Sequence, residues 1–327
     1  GFMIGTGGTA IVSKLLGEGK KDEAHSTFSM MVLFTLLLGL VLSAVGFLTM
    51  RPVSYFLGAT DAMIDDCVLY GRIVTGFTFA FMLQNVFQSF FIAAEKPRLG
   101  LIVTVAAGVT NMALDALFIA VFDWGVAGAA IATGLSQCVG GVLPLIYFLR
   151  PNDSLLRMRL TALRLRPILQ ACGNGSSELM SNISSSLVGM LYNFQLMRLI
   201  GEDGVSAYGV LMYVQFIFVA IFIGYSIGSA PVVSFHFGAQ NHDELKSLLR
   251  KSVLLMSSGG VLLTVAARLL AALLAHLFVG YDAVLFDLTT HAFRLFSWSF
   301  LLAGFNIFTS GFFTALNNGA ISAAISF

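Results

Sequence analysis

An all-α polytopic membrane protein, built from two parallel six-helix repeats and truncated at both ends, is the fold class that three observations predict. The 327 residues are 57% hydrophobic and 11% charged, with mean hydropathy +0.88, which excludes a soluble globular domain. Apolar runs of about 20 residues recur along the whole chain, the length a helix needs to cross a bilayer. Two separated stretches on either side of a central polar segment also match at one constant spacing, the mark of an internal repeat.

The apolar runs lack the strict alternation of barrel strands, and helices are the other structure that satisfies its own backbone in lipid. Spans are expected near 28–49, 68–93, 99–122 and 126–149 in a first lobe (residues 1–149). In a second lobe (residues 167–327) they are expected near 167–200, 205–237, 252–279 and 284–313. Part-spans stand at residues 1–16 and 320–327. Between the lobes lies the only long polar stretch, Arg150 to Arg166, with five arginines and one aspartate. Its apolar positions Leu155, Leu156, Met158, Leu160, Leu163 and Leu165 suit a basic amphipathic helix on the cytoplasmic membrane surface, where arginines meet anionic head groups; the alternative is a solvated linker.

Loop charge sets the orientation. Lys14, Lys20 and Lys21, then Lys96 and Arg98, the connector arginines, and Lys246, Arg250 and Lys251 alternate with loops whose basic residues are Arg51 and Arg198. Positive loops stay inside, so the connector and the loops at Lys20 and His242 are expected in the cytoplasm, and the protein in the plasma membrane.

The repeat supplies the architecture. Val12, Ser13, Gly17, Asp22 and Glu23 match Val233, Ser234, Gly238, Asp243 and Glu244, and Asn85 to Phe91 matches Asn306 to Phe312, all at an offset of 221. Both copies carry their charged loop on one side, so the repeats are parallel, an arrangement found in transporters that handle substrate between two halves. Duplication without alternating access, as in a channel, is the plainer alternative. By the same offset, the partners of residues 167–200 fall ahead of Gly1 and those of 99–149 beyond Phe327. Twelve spans are expected in all, with the first, most of the second and the end of the second lobe missing.

Polar residues inside the spans are the candidates for function. Asp115 lies about sixteen residues into an apolar run, where an aspartate costs roughly 2.5 to 3.5 kcal/mol and calls for a partner or a wet cavity. Asn111 is one turn earlier on the same face. Oxygen ligands of this kind suit a hard cation, a buried carboxylate suits a proton, and a structural contact between two helices is the bland alternative. Glu178, followed by Asn182, Ser185, Gly189 and Asn193, forms a polar stripe and marks a substrate or coupling candidate, unless the glutamate simply reaches water. His236 and His242 gain no third ligand at metal spacing, Cys67, Cys138 and Cys172 form no motif, and no phosphate-binding loop points to ATP; no cofactor or resident metal is expected.

The stretch Asn111 to Ile119, followed by Trp124 to Gln137, resembles the fifth and sixth helices of the multidrug and toxic compound extrusion (MATE) transporters, and the loops at Gly17 to Glu23 and Gly238 to Glu244 also look like theirs. The resemblance covers nearly the whole chain. It implies a cation or proton site of Asn111, Asp115 and Thr133, completed by an aspartate on the missing first helix. It also implies a non-enzymatic secondary exporter of organic cations, driven by Na+ or H+ and functioning as a monomer in the bilayer with no nucleic-acid partner. In some branches the helix after the connector bears an essential glutamate, which Glu178 matches with a shift of about a turn. The branch with an aspartate in the tenth helix is not matched by the span from His291 to Asn306. The alternative within transport is a flippase for a lipid-linked precursor, which needs a strongly cationic cavity. A membrane-embedded enzyme would need paired carboxylates or a metal cluster, which the sequence does not offer.

Overall fold

A computed structural model describes residues 1–56, 60–61 and 63–326, and they are helical apart from turns and one strap. Two compact units divide the chain, Gly1–Gly175 and Ser176–Phe327. The first holds α1 (Phe2–Gly17), α2 (Lys21–Phe56), α3 (Ile64–Gly76), α4 (Thr78–Ala93), α5 (Pro97–Asp115) with a π-helical turn (Ala116–Val121), α6 (Gly125–Leu149) and α7 (Leu165–Asn174). The second holds α8 (Ser176–Leu199), α9 (Glu202–Gly238), α10 (His242–Val279), α11 (Ala283–Phe296), a 3-10 turn (Ser297–Ser299), α12 (Phe300–Ala315) and α13 (Gly319–Ser326). Among the described residues six helices are long and apolar enough to cross a membrane, and a seventh span is made if α3 and α4, bent by 46°, count as one. Phe327, the end of the last part-span, lies outside the described residues.

The repeat is visible as geometry. Lys21 and His242, which open α2 and α10, are 221 apart, as are Gly17 and Gly238, which close α1 and α9. The turns that follow share one pattern. Gly19 N donates to Leu16 O and Lys20 N to Leu15 O; Gln240 N donates to Phe237 O and Asn241 N to His236 O. Gly19 (φ +78°) and Gln240 (φ +56°) both take the left-handed conformation that ends a helix in this way, and only the first is the glycine that adopts it freely. At the turn after α4 and α12 the offset widens to 222, with Lys96 N donating to Phe91 O and Asn318 N to Phe313 O.

Each unit has its own core. In the first, Phe28 of α2 meets Phe90 of α4 and Phe148 of α6 edge-on at 4.9 and 5.0 Å, and Phe87 stacks on Phe148 at 5.6 Å. Such pairs add directional attraction to the burial of large rings, which fixes how the three helices meet. In the second unit Ala271, Ala275, Leu285, Phe293 and Leu211 tie α10 and α11 to α9, and Phe222 packs with Met256 and Phe308.

Two features differ from the sequence reading. The span expected at 167–200 is two helices meeting at Gly175, and α7 packs against α1 within the first unit rather than opening the second lobe. Glycine makes that contact: a Cβ on Gly7 would fall 2.0 Å from the Ala171 oxygen, and one on Gly175 would fall 2.0 Å from the Met3 oxygen. The connector is also not a helix between Pro151 and Arg164. Its burial alternates, Ser154 and Leu156 buried between exposed Asp153, Leu155 and Arg157, through a bend at residues 153–155. Leu156 enters the aromatic core and Met158 packs beside it.

The strap is latched to the first unit along its length. His25 Nε2 donates to the Leu155 carbonyl at 2.9 Å, Arg159 N donates to Ser29 Oγ at 2.8 Å, and Ser26 and Thr161 share a hydroxyl bond of 2.8 Å. Lys96 pairs with Asp153 at 2.9 Å and Arg159 with Asp22 at 2.7 Å. The hydrogen bond from Lys96 holds the Asp153 carboxyl below the usual carboxylate range. These bonds replace the backbone ladder a helix would have offered. Leu160, by contrast, is fully exposed, and Leu163 and Leu165 remain exposed as well.

Two outcomes are expected from thermal unfolding in detergent and limited proteolysis. Gln240→Gly relieves a left-handed side chain and stabilises the second unit by about 0.5–1 kcal/mol, whereas Gly19→Gln costs about 1–2 kcal/mol in the first. Leu156→Ala costs about 2–4 kcal/mol and exposes the strap to cleavage between Asn152 and Arg164, while Leu160→Ala leaves the cleavage rate unchanged.

Candidate functional site

α5 ends on Asp115 because the chain widens there into a π-helical turn, in which Phe122 N donates to Leu117 O five residues back at 3.0 Å. Such a turn swings the following residues off the face set by the preceding helix, and it often marks a functional position. The chain then reverses through Asp123 (φ +55°) and Gly125 (φ +52°). Phe118, Phe122 and Trp124 stack over this reversal at 4.9–6.1 Å and hold its shape. Asn111 and Asp115 are thus one turn apart on one face, at the point where regular α-helix stops.

α6 is packed beside them by small residues. A Cβ on Gly128 would stand 2.9 Å from Phe118 Cβ; on Gly134 it would penetrate the Phe77 ring at 2.1 Å, and on Gly141 it would meet the Ala80 oxygen at 2.4 Å. These glycines let α6 lie close to α4 and to the turn after α5. Thr133 and Gln137 follow one turn apart on α6, both half-buried.

Buried polar atoms are almost always paired, and leaving one unpaired costs about 1–3 kcal/mol. Here Asn111 Nδ2, Asp115 Oδ1 and Gln137 Oε1 are buried without a hydrogen-bond partner among the described residues. Thr133, by comparison, has its backbone carbonyl engaged by Ser136 Oγ at 2.8 Å. Two neighbouring helices therefore carry an unpaired carboxylate oxygen and an unpaired amide oxygen, donor types suited to a hard cation or a proton. Gln137 is the residue that sequence reasoning missed. Its signal is its position four residues after Thr133, on the same helical face.

Glu178 and Asn182 belong to the other unit. Glu178 is half-buried in the first turn of α8, where the helix dipole favours a carboxylate, and it forms no ion pair among the described residues. Asn182 directs its amide to the Glu178 backbone carbonyl at 2.6 Å, and Ser186 donates to the Asn182 carbonyl at 2.9 Å, so this part of the stripe is closed on its own helix. Next to α8 a chain of hydroxyls runs through Ser177, Thr314, Ser322, Ser310 and Ser326 at 2.6–3.1 Å, joining α8, α12 and α13.

Duplicated helical units, small-residue packing and unpaired polar atoms inside apolar helices define a multi-pass membrane transporter architecture. The chain belongs to the MatE family, whose model matches residues 1–117 and 179–327. It is 23% identical over 326 residues to the multidrug export protein MepA of Staphylococcus saprophyticus, covering 98% of this chain and 70% of that protein. MepA of Staphylococcus aureus is likewise 23% identical, over 325 residues, with the same shares covered. Among solved structures it superposes with a MATE protein in complex with MaL6 at a TM-score of 0.93 and 19% identity. That match covers 99% of this chain and 73% of the other. An outward-facing conformation of a multidrug resistance MATE family transporter matches at 0.92 and 20%, covering 99% and 72%. The fold expectation is met, and the relatives are transporters, not enzymes.

Proposed function

We propose that the protein is a secondary active exporter that expels organic cations across the plasma membrane in exchange for Na+ or H+ bound at Asp115. The observation that carries this reading is the unpaired carboxylate oxygen of Asp115 and the unpaired amide oxygen of Gln137 on packed apolar helices, with Asn111 one turn before Asp115. The family membership and the multidrug export relatives support the direction and the substrate class.

The physical logic is one of linkage. An unpaired carboxylate within a span is costly, and a bound cation or proton offsets that cost in whichever conformation encloses the site. An ion shifts the balance between inward and outward states only through its different affinity for the two, and that difference couples it to substrate. Asp115 supplies the charge, the amide oxygens of Asn111 and Gln137 supply neutral ligands, and Thr133 adds a hydroxyl from α6.

Asp115→Asn keeps shape and removes charge, so it should abolish gradient-driven efflux of a cationic dye while expression and folding stay intact. Asn111→Ala, Thr133→Ala and Gln137→Ala each remove one neutral ligand and should raise the ion concentration for half-maximal efflux about tenfold. Imposing a sodium gradient and a pH gradient separately identifies the ion. Undiminished efflux by Asp115→Asn would overturn the assignment.

The loop charges support a cytoplasmic strap. Ser154 is buried, so the exposed Leu160 and Asn241 are the positions to probe. On a cysteine-free background, Leu160→Cys and Asn241→Cys should react with an impermeant maleimide only after the membrane is opened; labelling of intact cells contradicts the orientation.

A further inference from the structure

The first half of the strap is used in packing, and its second half is not. Leu156 and Met158 join the aromatic core of the first unit, and Arg159 pairs with Asp22. Beyond them every residue from Ala162 to Arg166 is exposed, and Leu160 is exposed in full. α7 then buries Ile168 and Ala171 and leaves Leu165 and Leu169, one turn apart, on its open side. Four exposed leucines, Leu160, Leu163, Leu165 and Leu169, thus stand close together along the chain.

The bonds that hold the strap also fix its level. Arg159 reaches Asp22 and Ser29 of α2, His25 meets the Leu155 carbonyl, Thr161 meets Ser26, and Arg164 N donates to Met30 Sδ at 3.1 Å. These partners straddle the point where α2 passes from the mostly polar stretch Lys21 to Thr27 into the apolar run that opens at Phe28. The strap therefore lies at the join between head groups and acyl chains.

The two turns to which the strap is tied present a different surface. The turn between α1 and α2 exposes Glu18, Gly19, Lys20, Lys21, Asp22 and Glu23, and the turn between α4 and α5 exposes Glu95, Pro97 and Arg98. Neither exposes a leucine. In the strap the exposed leucines are interleaved with Arg157, Arg164 and Arg166, all exposed and in no ion pair among the described residues. An arginine lays its stem on apolar surface while its fork reaches phosphate oxygens, and basic segments at a membrane surface are drawn to anionic lipids. Leucines alone suit any bilayer; the arginines select its charge.

We propose that the chain from Arg157 to Leu169 is a surface anchor for anionic phospholipids. Leu160, Leu163, Leu165 and Leu169 enter the acyl boundary, and Arg157, Arg164 and Arg166 hold phosphates of the leaflet around the first unit. The latch to α2 orders leucines beside arginines without the helix that the sequence led one to expect. The anchor is independent of ion coupling at Asp115.

Ala162 is exposed within this stretch and takes no part in the anchor, so an environment-sensitive fluorophore on Ala162→Cys reports on it once Cys67, Cys138 and Cys172 are replaced. The labelled protein is placed in nanodiscs of phosphatidylcholine, with and without phosphatidylglycerol. Dibrominated phosphatidylcholine quenches from the lipid side and acrylamide from the water side, both without charge. Phosphatidylglycerol should raise bromine quenching and lower acrylamide quenching about threefold, and R157Q/R164Q/R166Q should abolish the difference. Concentrated sodium chloride should abolish it as well, by screening, which keeps the test decisive where the triple substitution disturbs folding. Equal quenching in the two membranes, or a phosphatidylglycerol effect that survives either treatment, overturns the proposal. A fluorophore open to acrylamide and silent to bromine in both membranes also overturns it, and makes the strap a solvated chain.

Discussion

A polar atom inside a bilayer has no bulk water to satisfy it, so each one must find a partner within the protein or wait for a ligand. Most of this chain obeys the first alternative in the simplest way, by folding its backbone into helices and returning serine and threonine hydroxyls to carbonyls of the preceding turn. Thr35, Ser234 and Thr264 all do so at 2.7–3.0 Å. Asp115 and Gln137 are set apart from that background because the buried atoms they leave unpaired are a carboxylate oxygen and an amide oxygen within apolar helices.

Helices that bury little polar surface must be held together by contact distance, and glycine sets that distance. Gly7 and Gly175 bring α1 and α7 together in the first unit, and Gly128, Gly134 and Gly141 bring α6 against its neighbours. Thr133 and Gln137 lie on the same helix as Gly128, Gly134 and Gly141: a side chain larger than hydrogen at Gly134 would run into the Phe77 ring and shift α6, which carries both.

The two copies of the repeat have kept their turns and diverged in their polar residues. Gly19 and Gln240 occupy the same helix ending with unequal ease, and Phe47 and Arg268 occupy matched positions of the repeat with opposite chemistry. A duplicated scaffold allows this, because backbone geometry is carried by the offset of 221 while each unit answers separately for the charges it holds.

Hydrophobic run length determined the membrane class and the helices, and the constant spacing between matched segments determined the duplication; both are one-dimensional properties, written in the order of residues. Asp115 was legible as well, since a charge within an apolar run is costly wherever it points. Periodicity did not settle the connector. Leu155, Leu156, Met158 and Leu160 serve a helix or an irregular strap equally, and only the contacts with the first unit, at Ser26, Ser29 and the aromatic core, select the course that buries Leu156. Nor could order along the chain reveal that Gln137 is unpaired, that α7 packs with α1, or that Arg268 leans on Trp298 from 30 residues away. Those facts depend on which side chains meet across helices, and in a membrane, where every face of a helix is apolar, that choice is made by small residues and close packing in three dimensions.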